Sequence, residues 1–241
     1  NLLKNSVKLD MFRTVSGARI ADELKSMLEE ETSGKALKKL SELGLLKLIH
    51  PSIVWDKEQE RLFERANDAL AWYELLYTKD HVERWLVLLL ALTDRLGEEE
   101  LALLVKRLVI SGRKRLDALS SRNNALRVLG RMSAGQLRKA SALYNALNPL
   151  EAELILYLMA KSEREGLRKA FSRYTTKLRH TETILKGGDL KKLGVEQGPV
   201  MGEILRELLS KRLDGEIITR EDEEAFVRAF LKKKPAKKRL K

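Results

Sequence analysis

The 241-residue chain has no cysteine, which excludes disulfides, zinc–thiolate sites and a cysteine nucleophile. Its three histidines, His50, His81 and His180, are too scattered for a histidine-built metal site. Aromatic residues are only 5% of the chain, so the core must be built mostly from Leu, Ala, Val and Ile. No apolar run approaches the ~18 residues that a bilayer span requires. No secretory signal pattern opens the chain. Cytoplasmic placement and no membrane partner are therefore expected. No Asp-x-Asp pair, Gly-Ser dipeptide or Gly-rich loop with a following Lys occurs, so a phosphate-binding loop is not indicated. Asp80-His81 reverses the His-Asp order of metal phosphohydrolases, and His81 reads as an ordinary helix-start residue. His50, before Pro51, reads as a turn residue. Asp214-x-Glu216 and Asp222-x-Glu224 lie beside expected helix boundaries, where capping explains them better than a metal does. No catalytic residue and no metal ligand is assigned.

The charge is unevenly spread. The net charge is +12, from 47 Lys and Arg against 35 Asp and Glu. Residues 1–100 hold 15 basic and 19 acidic residues, whereas residues 101–181 hold 17 and 5. Within the latter, residues 106–139 carry ten basic residues against the single acid Asp117. Such density points to a polyanion partner; a solvated basic face is the plain alternative. An anionic membrane is disfavoured, because the cations spread over several helices with no apolar insertion face.

The chain reads as helix nearly throughout, which predicts an all-α fold: an irregular multi-helix assembly with no sheet and no fixed repeat. Ser16 is a predicted N-cap for a helix carrying Ile20, Leu24, Met27 and Leu28. Ser33-Gly34 is read as a break, and Gly44 as a helix C-cap before His50-Pro51. A long helix is expected over 58–77, with Leu62, Phe63, Ala66, Ala69, Leu70 and Tyr73 on one face. Trp85 to Leu92 is apolar nearly all round and is expected to be a central buried helix. Further helices are expected at 98–110, 113–129, 134–146, 149–160 and 163–181, with Asn148 as N-cap before Pro149. Five glycines fall within sixteen positions, at Gly187, Gly188, Gly194, Gly198 and Gly202. Gly198-Pro199 fits a helix start, and Thr219 with Asp222 a capping pair before a last helix to Leu231. Residues 232–241, KKKPAKKRLK, are expected to be a disordered basic tail. The chain opens on Asn1 with NLLKNSVKLDMF, which reads as the inside of a helix, so a piece of a longer protein is expected.

Two stretches carry a family resemblance. One is SGARIADELKSML followed by ALKKLSELGLLKLIHP. The other is LKGGDLKKLGVEQGPVMGEILRELLSKRLDGEIITREDEEAFV. Together they resemble the C-terminal half of the bacterial tRNA nucleotidyltransferase and poly(A) polymerase family. YLMAKSEREGLRKAFSRYTTKLR is similar to the branch whose longer members carry extra N-terminal domains. The matching stretches cover about 90 of the 241 residues; residues 56–150 match only as generic helices.

The resemblance implies a helical neck end and start of the body (1–55), a body with a basic surface (56–185) and a Gly-rich tail domain (186–231). These would grip the tRNA elbow and acceptor stem. It further implies a separate N-terminal head, absent from this sequence, that adds nucleotides to the RNA 3′ end with two carboxylates, Mg²⁺ and ATP or CTP. The family's base-selecting neck helix is also not found here. The chain by itself is therefore expected to be inactive, with no cofactor of its own. What carries over is the tail motif: Gly187, Asp189, Leu190, Gly194, Gly198, Pro199 and Gly202. Its glycines either admit a close-approaching phosphate backbone or simply form tight helix–helix turns. Asp189 is read as a helix cap. Arg19, Glu23 and Leu24 match the neck-end motif, where an internal salt bridge is expected.

The residues proposed to grip RNA are Arg113, Lys114 and Arg115 after Ser111-Gly112; Arg127, Arg131, Arg138 and Lys139; and Arg164, Arg168, Lys169, Arg173 and Lys177. Lys169, Arg173 and Lys177 recur every four residues and form a stripe. Tyr174 either stacks on a sugar or base or belongs to the core. Such contacts read RNA shape and phosphates, not sequence. The competing reading is a non-catalytic helical protein–protein adaptor, which an exposed apolar groove in place of a basic surface would mark.

Overall fold

A computed structural model describes residues 15–78 and 80–233. Among them are thirteen α-helices and two short 3₁₀ turns, with no strand, so the fold is all-α as expected. The opening segment 1–14 and residues 234–241 of the basic tail lie outside the described residues. The last helix continues to Lys233, two residues beyond its expected end. The chain forms two compact units that interleave in sequence. Of the described residues, those within 15–130 and 149–171 form the first, and 131–148 and 172–233 the second.

The first unit is built around α4 (Arg84–Leu92), with α1 (Gly17–Glu29), α2 (Ser33–Glu42) and α3 (Lys57–Glu74) before it. After it come α5 (Glu98–Arg107), α6 (Arg113–Ser120), the start of α7 (Arg122–Ser133), α9 (Ala152–Lys161) and the start of α10 (Glu165–Thr176). All residues from Trp85 to Leu92 are buried, because α1, α3 and α9 each pack on α4. Each fully buried leucine there contributes about 1.5–3 kcal/mol. α3 presents the face read from its spacing, with Leu62, Phe63, Ala66, Ala69, Leu70 and Tyr73 buried. α9 is a second helix of the same kind, buried from Glu153 to Leu158.

A helix buried on all sides cannot leave its terminal carbonyls and amides to water. At the C-terminal end of α4, buried Gln59 donates its Nε2 to the Ala91 carbonyl at 2.6 Å. The Thr93 hydroxyl donates to Leu89 at 2.7 Å. The buried Arg122 guanidinium donates to the Thr93 carbonyl at 2.7 Å and also to the Leu96 carbonyl. At the N-terminal end, the Glu83 amide donates to the buried Glu153 carboxylate at 3.0 Å.

Several local expectations hold. Ser16 caps α1 by accepting from the Arg19 amide at 3.3 Å, and Gly44 ends α2. His50 is a turn residue whose Nδ1 accepts from the Ser52 amide at 3.2 Å. Others are corrected. The break before α2 falls at residues 30–32, and Ser33 and Gly34 already form its first turn. α3 stops at Glu74, and the helix expected over 113–129 divides at Ser121 into α6 and α7. Asn148 is not an N-cap. Its amide bonds back to the Tyr144 carbonyl at 2.8 Å, which closes the preceding helix, and α9 begins only at Ala152 with Glu151 as cap. Pro149 thus marks a helix exit, the other position where proline is common.

The second unit contains the end of α7, then α8 (Ala140–Leu147), the end of α10, α11 (Gly187–Lys192), α12 (Pro199–Leu213) and α13 (Arg220–Lys233). Residues 134–139 are not helical. The Gln136 amide bonds to the Arg131 carbonyl and Gly135 takes φ 72°, a left-handed terminator that ends α7. Leu185, Leu190, Val195, Ile204, Leu208, Ile217 and Val227 form a core joining α11, α12 and α13. Two carboxylates fasten it. Buried Glu223 accepts from the Ile184 and Leu185 amides at 3.0 and 2.7 Å and pairs with Arg212 at 3.1 Å. Asp214 accepts from the Ser141 amide and hydroxyl at 2.9 and 2.7 Å, holding the start of α8 to the end of α12. Burial pushes Asp214 up, but these hydrogen bonds outweigh it and hold the carboxyl below its usual value. Tyr174 is core: it is buried, lies 6.2 Å from the Tyr144 ring, and has its phenol pushed up to about 12 by burial.

Gly17 gives a direct test of the packing in the first unit. A Cβ there would lie 1.7 Å from the Arg107 carbonyl oxygen, whereas one at Gly34 would lie an ordinary 3.7 Å from the Phe63 ring. Gly17→Ala should lower stability by about 1–3 kcal/mol through forced backbone movement. Gly34→Ala should leave it unchanged or slightly raised. Urea unfolding followed by circular dichroism checks both.

Candidate nucleic-acid interface

The dense basic segment is less free than its sequence suggests. Of its ten cations, Arg107, Lys114, Arg115 and Arg122 are engaged inside the first unit. Arg107 donates to the Ile49 and Leu48 carbonyls at 2.8 and 2.6 Å. Lys114 Nζ lies 2.8 Å from the buried Glu153 carboxylate and 2.9 Å from the His81 carbonyl. Arg115 binds Glu83 at 2.8 and 3.0 Å and lies 5.5 Å from the Trp85 ring centre. Glu83 is pushed up by burial and pulled down further by its bonds from Trp85 and Arg115, leaving it below the usual carboxylate range. These two predicted RNA contacts therefore clamp the start of α4. Their neighbour Arg113 is 96% exposed and lies 3.6 Å from the Asp117 carboxylate, which is 56% exposed.

The other candidates of the first unit are outward. Arg127 and Arg168 are exposed and make no ion pair among the described residues. Arg164 is exposed just before α10. Lys169 pairs with Glu165 at 2.7 Å, but both ends are in solvent, where such a pair is worth about 0.3–0.5 kcal/mol.

In the second unit, Arg131, Arg138 and Lys139 are exposed around the turn between α7 and α8, a stretch with no acid. Arg173 and Lys177 are exposed at the end of α10. In the tail motif, Asp189 caps α11 by accepting from the Lys186 amide at 3.0 Å, as read from sequence, and also pairs with Arg220 at 3.0 Å. Gly194, at φ 89°, closes α11 in a tight turn, and Pro199 takes the first position of α12. Gly187 lies 3.4 Å from the Met201 sulfur by its missing Cβ. Gly188 and Gly202 are different. Both are helical at ordinary φ, and a Cβ on either would meet nothing within 4 Å. The protein's own packing does not require them to be glycine.

The remaining carboxylate pairs have structural partners. Asp222 and Thr219 cap α13 reciprocally at 2.9 and 3.1 Å, and Glu216 pairs with Lys211 at 2.6 Å. Arg19 and Glu23 are exposed, and no ion pair among the described residues joins them, contrary to expectation; Leu24, next after Glu23, is core. Lys191, Lys192 and Arg206 were not singled out by sequence. They are exposed beside the tail glycines, and the 11 acidic residues that accompany the 15 basic ones over 182–241 conceal them.

Comparisons with known proteins agree with this arrangement. A family profile described as "Probable RNA and SrmB-binding site of polymerase A" matches residues 11–55. The A-adding tRNA nucleotidyltransferase of Geobacter sulfurreducens is 37% identical over 227 residues, covering 92% of this chain and 26% of the relative. The chain thus spans about a quarter of that protein's length. Among solved structures, the Thermotoga maritima CCA-adding enzyme complexed with tRNA superposes with a TM-score of 0.74 at 22% identity, over 95% of this chain and 55% of that one. A CCA-adding enzyme complexed with ATP gives 0.73 at 24% identity, over 95% and 54%. These last two establish a shared fold. The chain is therefore similar to a helical part of nucleotide-adding enzymes. More narrowly, the comparisons support a likeness to the C-terminal region of the tRNA nucleotidyltransferase and poly(A) polymerase family.

Two substitutions separate structural from surface roles. Lys114→Ala strands the buried Glu153 charge and should lower stability by about 3 kcal/mol, whereas Arg113→Ala should change it by less than about 0.5 kcal/mol. Gly202→Ala adds helix propensity in open space and should raise stability by about 0.5–1 kcal/mol. Denaturant midpoints of the three variants check these values.

Proposed function

We propose that this chain is the tRNA-holding part of a tRNA nucleotidyltransferase or poly(A) polymerase. It grips tRNA by shape and phosphates while an N-terminal catalytic head of the full-length protein adds nucleotides to the 3′ end. The observation that carries this reading is the 37% identity to an A-adding tRNA nucleotidyltransferase, which runs through almost the whole chain. The exposed cations that make no ion pair among the described residues support it: Arg127 and Arg168 in the first unit, and Arg131, Arg138, Arg173 and Lys177 in the second. Their side chains face solvent and lose no ion-pair partner among the described residues on meeting a phosphate. The contribution to the reaction is orientation of the RNA end, which can account for a large part of a transfer reaction's rate. Mg²⁺ and ATP or CTP would be handled by the head. The adaptor reading has no comparable relative behind it.

Fluorescence anisotropy of a labelled folded tRNA across a salt series tests the grip. Affinity should favour tRNA over an unstructured RNA of equal length and fall linearly in log–log form with salt. Arg168→Ala and Arg173→Ala should each weaken binding and reduce the salt slope by about 1. With Mg²⁺ and labelled ATP or CTP, the chain alone should incorporate no nucleotide into tRNA. Equal binding to every polyanion, or none at moderate salt, overturns the reading.

A further inference from the structure

Residues 131–148 and 172–181, both in the second unit, hold Arg131, Arg138, Lys139, Arg173, Lys177 and Arg179 and no acid. All of these cations except Arg179 are exposed. Asp214 reaches this stretch from the end of α12, but its carboxylate is spent on the Ser141 amide and hydroxyl.

The two segments meet at a pair of tyrosines. Tyr144 of α8 and Tyr174 of α10 have ring centres 6.2 Å apart at 53°, a tilted aromatic pair. α8 also packs on the turn Leu178–His180, where His180 is exposed. The pair is asymmetric. Tyr174 is 1% exposed and is the inner member. Tyr144 is only half-buried, and its hydroxyl has no hydrogen-bond partner among the described residues. The face that α8 gives to the core is made by Ala140, Leu143 and Leu147, and Tyr144 stands one position off it. Its ring is thus steadied by Tyr174 while part of the side chain meets solvent among cations.

An aromatic side chain on an acid-free basic surface can do what cations cannot: attract the flat face of a base. A base inside a duplex has both faces covered by its neighbours, so only an unpaired base presents one. A tyrosine already set against a partner ring loses little freedom on making that contact.

We propose that Tyr144 is a stacking platform for an unpaired base of the bound RNA, with the adjoining phosphates drawn by the cations of the two segments. This inference rests on the RNA reading and adds to it a contact that shape and phosphates do not supply. The contact tolerates any base, because every base has a π-face. It makes the chain prefer RNA with unpaired nucleotides over RNA of the same charge that lacks their bases.

The test uses the full 241-residue chain and a fluorescein-labelled RNA stem-loop with a single-stranded 3′ overhang. A matched RNA carries abasic sugars at every unpaired position, so it keeps the phosphates and riboses and loses only the bases. The chain should bind the base-bearing RNA about five- to tenfold more tightly. Tyr144→Leu should remove that preference without changing affinity for the abasic RNA, and Tyr144→Phe should keep it. Arg173→Ala should weaken binding of both RNAs alike. 2-Aminopurine at an unpaired position should lose emission on binding the parent and Tyr144→Phe, but not on binding Tyr144→Leu. Equal binding of the two RNAs by the parent, a comparison that needs no variant to fold, overturns the proposal. So does a preference that survives Tyr144→Leu; either result leaves the RNA grip standing. Failure to bind either RNA at moderate salt overturns the grip reading and this proposal with it.

Discussion

The burial of α4 on every side is the constraint on which the first unit depends. Its apolar surface rewards enclosure by α1, α3 and α9, but enclosure removes water from both of its ends. Distant polar side chains then have to meet those ends: Gln59 and Arg122 at one, Glu153 at the other. Glu153, once buried, in turn requires Lys114. Two of the cations that look most like an RNA contact in sequence are thereby absorbed by the electrostatics of a leucine helix.

This explains what was legible in the sequence and what was not. Periodicity located α4, the apolar face of α3 and the start of α12, because local spacing and a proline at the first turn fix them. Capping chemistry was equally readable at Ser16, Asp189 and Thr219, since each partner lies three residues away. Helix ends were less readable. Asn148-Pro149 suits either the exit of one helix or the entry of the next, and only the bond from Asn148 back to Tyr144 decides between them. The free or engaged state of each cation was not legible at all. Lys114 and Glu153 are 39 positions apart, and no local pattern announces their meeting. The charge count over 106–139 therefore gives the sign of the segment but not which of its cations are held by internal partners.

The tail glycines separate in the same way. Gly194 is accounted for by the turn that ends α11. Gly202 gives up helix propensity with no packing return among the described residues. Arg206, whose Nε donates to the Gly202 carbonyl at 3.2 Å, places a cation beside the bare backbone.

The interleaving of the two units has a consequence for how the chain is made. Residues 131–148 leave the ribosome early, yet α8 is fastened by Asp214, and its unit takes up the chain again only at Ser172. The first unit likewise waits for α9 before α3 and α4 have their third neighbour. During synthesis, therefore, neither unit closes in simple N-to-C order. A stalled or truncated product ending near residue 148 would expose unfinished apolar faces from both, which makes the late stages of translation the period of greatest aggregation risk.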